Sequence, residues 1–168
     1  MSPSLVASTA ALLLLLALSL DLVASATPVN GLANDILPKY GLPRGLLPDV
    51  VKSYSLSDDG EFEIELESPC YVQFSHLVYY EKVVKGKLSY GAISNLSGIQ
   101  AKKLFLWVSI SGIVAHPDAG TIEFQVGFIS ESLSEKEFET IPVCKAKAAY
   151  RGAAGMLSEI GILPISEA

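Results

Sequence analysis

Residues 103–113, Lys103-Leu-Phe-Leu-Trp-Val-Ser-Ile-Ser-Gly-Ile113, are apolar on both faces when read with a period of two. Leu104, Leu106, Val108 and Ile110 fall on one side, and Phe105 and Trp107 on the other. A strand with one wet face alternates between apolar and polar residues. This stretch instead predicts a strand covered twice, by other elements outside and by its own closed sheet inside. A buried helix is the competing reading. The aromatic and β-branched residues, the serines after Trp107 and the stop at Gly112 favour the strand.

The flanking segments point the same way. Residues 51–56 and 61–67 surround Ser57-Asp58-Asp59-Gly60, a hairpin signal because Asp and Gly tolerate the positive φ of tight turns. Phe62, Ile64 and Leu66 alternate with Glu61, Glu63, Glu65 and Glu67, so one face is apolar and the other carries a row of carboxylates. Further strands are expected over residues 70–84, 87–93 and 121–129, with Gly86 a bulge or bend where the sheet curls. Asn34 is placed to cap a short helix through Tyr40 that stops at Gly41. Gly41-Leu-Pro-Arg-Gly-Leu-Leu-Pro48 then reads as an ordered, packed connector, its prolines fixing φ and its leucines needing burial. Ser134-Glu-Lys-Glu137 has the form of a capping box opening a short helix with Phe138. The expected fold is mainly β (α+β): a single-domain antiparallel β-barrel with short helices packed against it.

A chain of 168 residues suits one domain and buries about 70% of its unfolded surface without metals or many disulfides. Residues 10–20 form an almost unbroken apolar run followed by Ala24-Ser25-Ala26, the pattern of a signal peptide and shorter than the ~20 residues that span a bilayer. The expected layout is a signal peptide over 1–26, a short linker over 27–33, the β-barrel domain over 34–145 and a partly helical C-terminal tail over 146–168. Removing the leader takes one acid and no base, so the net charge of −6 becomes −5. That balance disfavours nucleic acid and electrostatic attachment to anionic lipid, leaving apolar burial as the route to any membrane contact. The localisation expected is extracellular, by the secretory pathway. In that setting Cys70 and Cys144, the only cysteines, suggest one disulfide, with two separate thiols the alternative. Asn95-Leu96-Ser97 becomes a glycosylation sequon between two strands.

Catalytic and cofactor motifs are missing. The sequence has no G-x-S-x-G elbow, no H-E-x-x-H or paired C-x-x-C, and Gly86-Lys87-Leu88-Ser89 lacks the glycine and setting of a phosphate loop. His76 lies in an apolar run and reads as a hydrogen-bonded structural histidine, and His116 as a turn residue beside Pro117 and Asp118. The four glutamates read as a solvated strand face, since residues two apart on a strand are too widely spaced to share one metal ion unaided. No catalytic residue, metal or cofactor is assigned. What remains is an excess of large apolar side chains expected to face inward: Phe62, Phe74, Phe105, Trp107, Phe124 and Phe128. They are core packing in a solid barrel, or the lining of a hydrophobic cavity in one that is not fully plugged.

Gly41-Leu-Pro-Arg-Gly-Leu-Leu-Pro48 with Tyr54-x-Leu56, Leu96-Ser-Gly-Ile99, Phe105-Leu-Trp107 and Pro142-Val-Cys144 resembles the plant domain-of-unknown-function family number 538, over residues 34–145. The resemblance implies a compact antiparallel β-barrel similar to half of the bactericidal/permeability-increasing lipid-binding proteins. It also implies a plant protein discussed with stress and development, and it brings no catalytic set. The first functional reading is a secreted binder of a lipid or other apolar small molecule. An ester hydrolase acting on such a ligand is the second, and an extracellular interaction module with a solid core the third. The sequence sets no oligomeric state.

Overall fold

The computed structural model of the protein describes residues 32–146. The apolar run at 10–20 with its cleavage pattern, most of the linker, and the tail from residue 147 lie outside the described residues.

Helix α1 (Leu32–Ile36) continues into a 3-10 turn, Leu37–Tyr40. Gly41 ends it at φ 70°, a left-handed conformation that costs a glycine nothing, and its N–H meets the carbonyls of Leu37 and Pro38. The connector follows with a second 3-10 turn, Arg44–Leu46, and Leu42, Leu46 and Leu47 are all buried. Asn34 does not cap the helix. It is 1% exposed, and its Nδ2 donates to the carbonyls of Arg44 at 3.0 Å and Leu47 at 2.8 Å, tying the helix to the connector.

The strands are β1 (Val51–Leu56), β2 (Glu61–Leu66), β3 (Cys70–Gln73), β4 (Leu77–Ser89), β5 (Ala92–Lys103), β6 (Leu106–Ser109), β7 (Gly112–His116), β8 (Thr121–Val126) and β9 (Ile129–Ser134). They form one antiparallel sheet in the order β1-β2-β4-β5-β7-β8-β9, with β3 paired to β4 and β6 to β5. The β1–β2 hairpin closes where expected, with Gly60 at φ 91°. Glu61, Glu63 and Glu65 of β2 face lysines and not a metal site: Lys87, Lys85, and Lys52 with Lys82 respectively. Gly86 lies opposite Phe62 at a register shift between β4 and β5, and a β-carbon there would come within 3.0 Å of the Phe62 ring. Its bulge is therefore also the seat of an aromatic side chain.

Three expected strands are interrupted. The run 70–84 breaks at residues 74–76 into β3 and β4, the run 121–129 turns at Gly127 and Phe128, and the run 103–113 turns at Leu104 and Phe105. Conversely, β4 passes through Gly86 without stopping. Asn95 is not between strands. It sits exposed within β5 at φ 50°.

Residues from β1 through β9 line one interior, so the sheet is concave, but it is not closed into a barrel: no described pairing joins β9 to β1. The connector occupies the open side. A β-carbon at Gly45 would lie 2.3 Å from the Thr140 carbonyl and 2.4 Å from that of Phe138, the Asp49 N–H donates to Pro142, and the Asp49 carboxylate accepts from the Cys144 N–H. Chain filling the gap removes the need for the end strands to pair. The 3-10 turn Glu135–Phe138 lies beside it with Phe138 buried against Phe74 and Phe124. Its expected capping box is absent, because the Glu137 carboxylate instead accepts from the N–H and hydroxyl of Ser75.

Candidate functional site

The interior of the sheet is apolar except at one end. That end gathers three connections: residues 74–76 between β3 and β4, Leu104 and Phe105 between β5 and β6, and Gly127 and Phe128 between β8 and β9. Here Glu131 of β9 meets two partners. His76 Nε2 is 2.9 Å from its Oε1, and the Lys103 ammonium bonds its Oε2. The hydrogen bonds from Lys103 and then His76 hold the Glu131 carboxyl below the usual glutamate range. The cluster ties the three connections together across the mouth of a cavity.

That cavity has a volume of about 50 Å³ and is lined by Phe74, Val78, Tyr80, Val108, Phe124 and Leu133 among others, with His76, Lys103 and Glu131 at its polar edge. A second cavity of about 40 Å³ lies deeper in the sheet, against α1 and including Phe62, and the two share Leu46, Ile99 and Ile113 as lining residues. Leu46 is held in place by Tyr80, whose buried hydroxyl donates to the Leu46 carbonyl at 2.9 Å. Burial raises the Tyr80 phenol far above its ordinary value, so it stays protonated and able to donate.

Of the six side chains expected inside, Phe62, Phe74 and Phe124 line these cavities. Phe105, Trp107 and Phe128 do not: Phe105 is 93% exposed, Trp107 40%, and Phe128 fully exposed. Both phenylalanines stand in two-residue turns, and Trp107 lies on the outer face in edge contact with Tyr71 and Tyr79. Leu104 and Leu106 are exposed as well, so the outer covering expected of this stretch is missing at both. The inward apolar residues of that stretch are Val108, Ile110 and Ile113.

Cys70 and Cys144 are free thiols. The bridge between Tyr71 and Lys145 sets them on diagonal positions of an antiparallel pair. Diagonal neighbours stand about 7–8 Å apart, beyond the roughly 4.4–6.8 Å between α-carbons that a disulfide bridges. Burial, then the Asp49 charge, push the Cys144 thiol up.

Sequence reasoning missed Lys103 and Glu131 altogether, because nothing local distinguishes them from other charged strand residues. The structure also moves His76 from a strand to a loop, while His116, at the far end of β7, meets the half-buried Glu123 carboxylate at 3.0 Å. A histidine beside a carboxylate invites a hydrolytic reading. The neighbouring hydroxyl, Ser75, is turned onto Glu137, so it is not presented to His76 as a nucleophile. No group of three or more metal-ligating side chains with suitable placement occurs among the described residues.

These features define a mainly β domain with an apolar interior and a polar cluster at one end. The chain belongs to the family described as "Protein of unknown function, DUF538", whose model matches residues 33–139. A search of curated proteins found no match to the chain.

Proposed function

We propose that the chain is an exported binder of an apolar small molecule or lipid, taken up within the concave sheet, which together with the connector acts as a barrel-like enclosure. One observation carries the reading: the cavity lining is apolar apart from the Tyr80 hydroxyl, which is spent on the Leu46 carbonyl, and its charged or titratable groups, His76, Lys103 and Glu131, are gathered at a single edge. An amphiphile has that same distribution, a long apolar body with one polar end. The two cavities, at about 50 and 40 Å³, fall below the several hundred Å³ of a typical ligand pocket. Uptake therefore needs the interior to widen. The connector is the element whose displacement would widen it, since its Leu46 borders both cavities and it is anchored by side-chain hydrogen bonds from Asn34 and Tyr80 and not by pairing within the sheet.

Native mass spectrometry of protein purified from its host, followed by titration with a long-chain alcohol, tests this. A retained apolar ligand or a saturable adduct supports it. A bare protein that takes up no alcohol would overturn it in favour of an interaction module with a solid core.

A further inference from the structure

The turn between β5 and β6 is built from unsuitable residues. Lys103 pairs with Leu106, so Leu104 and Phe105 are the whole loop, and Leu104 sits at φ 54°. Two-residue turns favour Gly or Asn because a side-chain-bearing residue in left-handed backbone pays a steric cost. Here a leucine bears that cost while 87% exposed, next to a phenylalanine that is 93% exposed. Nothing within the described fold recovers either penalty. The β8–β9 turn repeats the arrangement: Val126 pairs with Ile129, Gly127 takes φ 61°, and Phe128 stands fully exposed at the second turn position, as Phe105 does in its own.

Both turns lie at the same end of the sheet, and Glu131 of β9 bonds to Lys103, the residue before Leu104. The apolar side chains are thus carried on hairpin tips and not on a flat face. Behind one tip Trp107 meets the rings of Tyr71 and Tyr79 at 5.9 and 6.2 Å, and Lys102 lies directly across from Trp107 in the ladder. Aliphatic and phenylalanine side chains stand outermost, with Trp107 and Lys102 level behind them and the two tyrosines beyond, which matches the layering of a membrane interface, where aromatic rings and lysines sit at headgroup level.

We propose that this end of the sheet docks on a lipid bilayer, with Phe105 and Phe128 entering the boundary between headgroups and acyl chains. Leu104, Leu106 and Ile129 widen the inserted surface, Trp107 and the two tyrosines lie at headgroup level, and Lys102 meets lipid phosphate. The net charge of −6 gives anionic lipid no long-range attraction for the chain, so insertion is driven by apolar burial and proceeds on zwitterionic membranes. The inserted hairpins also carry Val108 and Val126, which line the larger cavity, so the docked surface is continuous with the cavity mouth. Docking does not depend on the cavity holding a ligand.

The test uses the full chain with phosphatidylcholine vesicles whose acyl chains are brominated at known depths, and reads the quenching of Trp107, the single tryptophan. The segment at residues 10–20 can tether the chain to vesicles, but only docking of this end brings Trp107 within reach of the quencher. Quenching is expected, with a blue shift of emission and little change at about 1 M salt. In the Phe105→Ser/Phe128→Ser double variant the vesicle concentration needed for half-maximal quenching rises by more than about tenfold. Vesicle-bound protein with unquenched Trp107, or equal quenching in the variant, would overturn the proposal. So would a dimer in light scattering that the double variant dissolves, since the patch would then be covered by a second copy.

Discussion

His76 and Glu131 stand 55 positions apart in the chain and 2.9 Å apart in space, joined across the open end of the sheet. With Lys103 on the second carboxylate oxygen, they tie the β8–β9 hairpin to the β3–β4 and β5–β6 connections, which the β4–β5 ladder already sets side by side. This contact lets one end of a mostly apolar interior carry charge.

Glu131 makes that contact sensitive to acid. Its folded carboxyl lies below the ordinary glutamate value of about 4.3, so its stabilisation is complete above that value and is lost as pH falls through the lowered one. The group is partly solvated, and screening limits its contribution to about 0.5–1 kcal/mol at neutral pH. Urea unfolding at pH 7 should show Glu131→Gln less stable by that amount, with the difference shrinking as the pH drops below about 4. A gap that widens in acid would contradict the assignment.

Asn34 is the joint between α1 and the connector. Replacing it with alanine leaves the Leu47 carbonyl, in a buried setting, without its donor, at a cost of about 1–3 kcal/mol. Asn34→Asp should cost more than Asn34→Ala, because its carboxylate oxygens would face two carbonyls and donate nothing. Equilibrium denaturation of the two variants checks the order.

Aromatic and aliphatic residues of the 103–113 stretch should behave oppositely to their size. Ile110→Ala empties a buried site and should cost about 2–5 kcal/mol. Phe105→Ala removes a larger side chain from solvent and should change stability by less than about 0.5 kcal/mol. Urea midpoints measured side by side decide it, and a strongly destabilised Phe105→Ala would mean the turn is packed.

The two thiols should react separately. Cys70 is fully buried and Cys144 half-buried with its thiol pushed up, so a maleimide should label Cys144 slowly at neutral pH and Cys70 only after unfolding. Mass spectrometry without reductant should find two alkylated cysteines in denatured protein. A cross-linked peptide pair would show that the strand ends shift from the diagonal register.

Gly45 holds the connector against the C-terminal edge, where a β-carbon would overlap two carbonyl oxygens. Gly45→Ala should therefore cost about 1–3 kcal/mol, while Gly120→Ala, in open space, suffers only its backbone strain at φ 62°. Thermal melts of both variants separate crowding from strain.

The β1–β2 hairpin was legible from sequence because its signals are local: the faultless alternation of residues 61–66 sets the faces, and Asp59 with Gly60 supplies the turn. The Gly41 stop, the packed connector and the bulge at Gly86 were legible for the same reason, each following from the backbone limits of glycine or proline. The two phenylalanine turns were not. A two-residue turn shifts the inward parity of the following strand by one position, so Val108 and Ile110 face in where an unbroken strand would turn Phe105 and Trp107 inward. The same shift after Val126 sends Glu131 and Leu133 to the interior edge and leaves Phe128 in solvent. Leu104-Phe105 carries no turn signal, and its position is set by which residues of β5 the returning chain pairs with. Alternation along the chain fixes which residues share a face. Only pairing between strands decides where that face reverses, and so which aromatic residues fill the core and which stand at the tips.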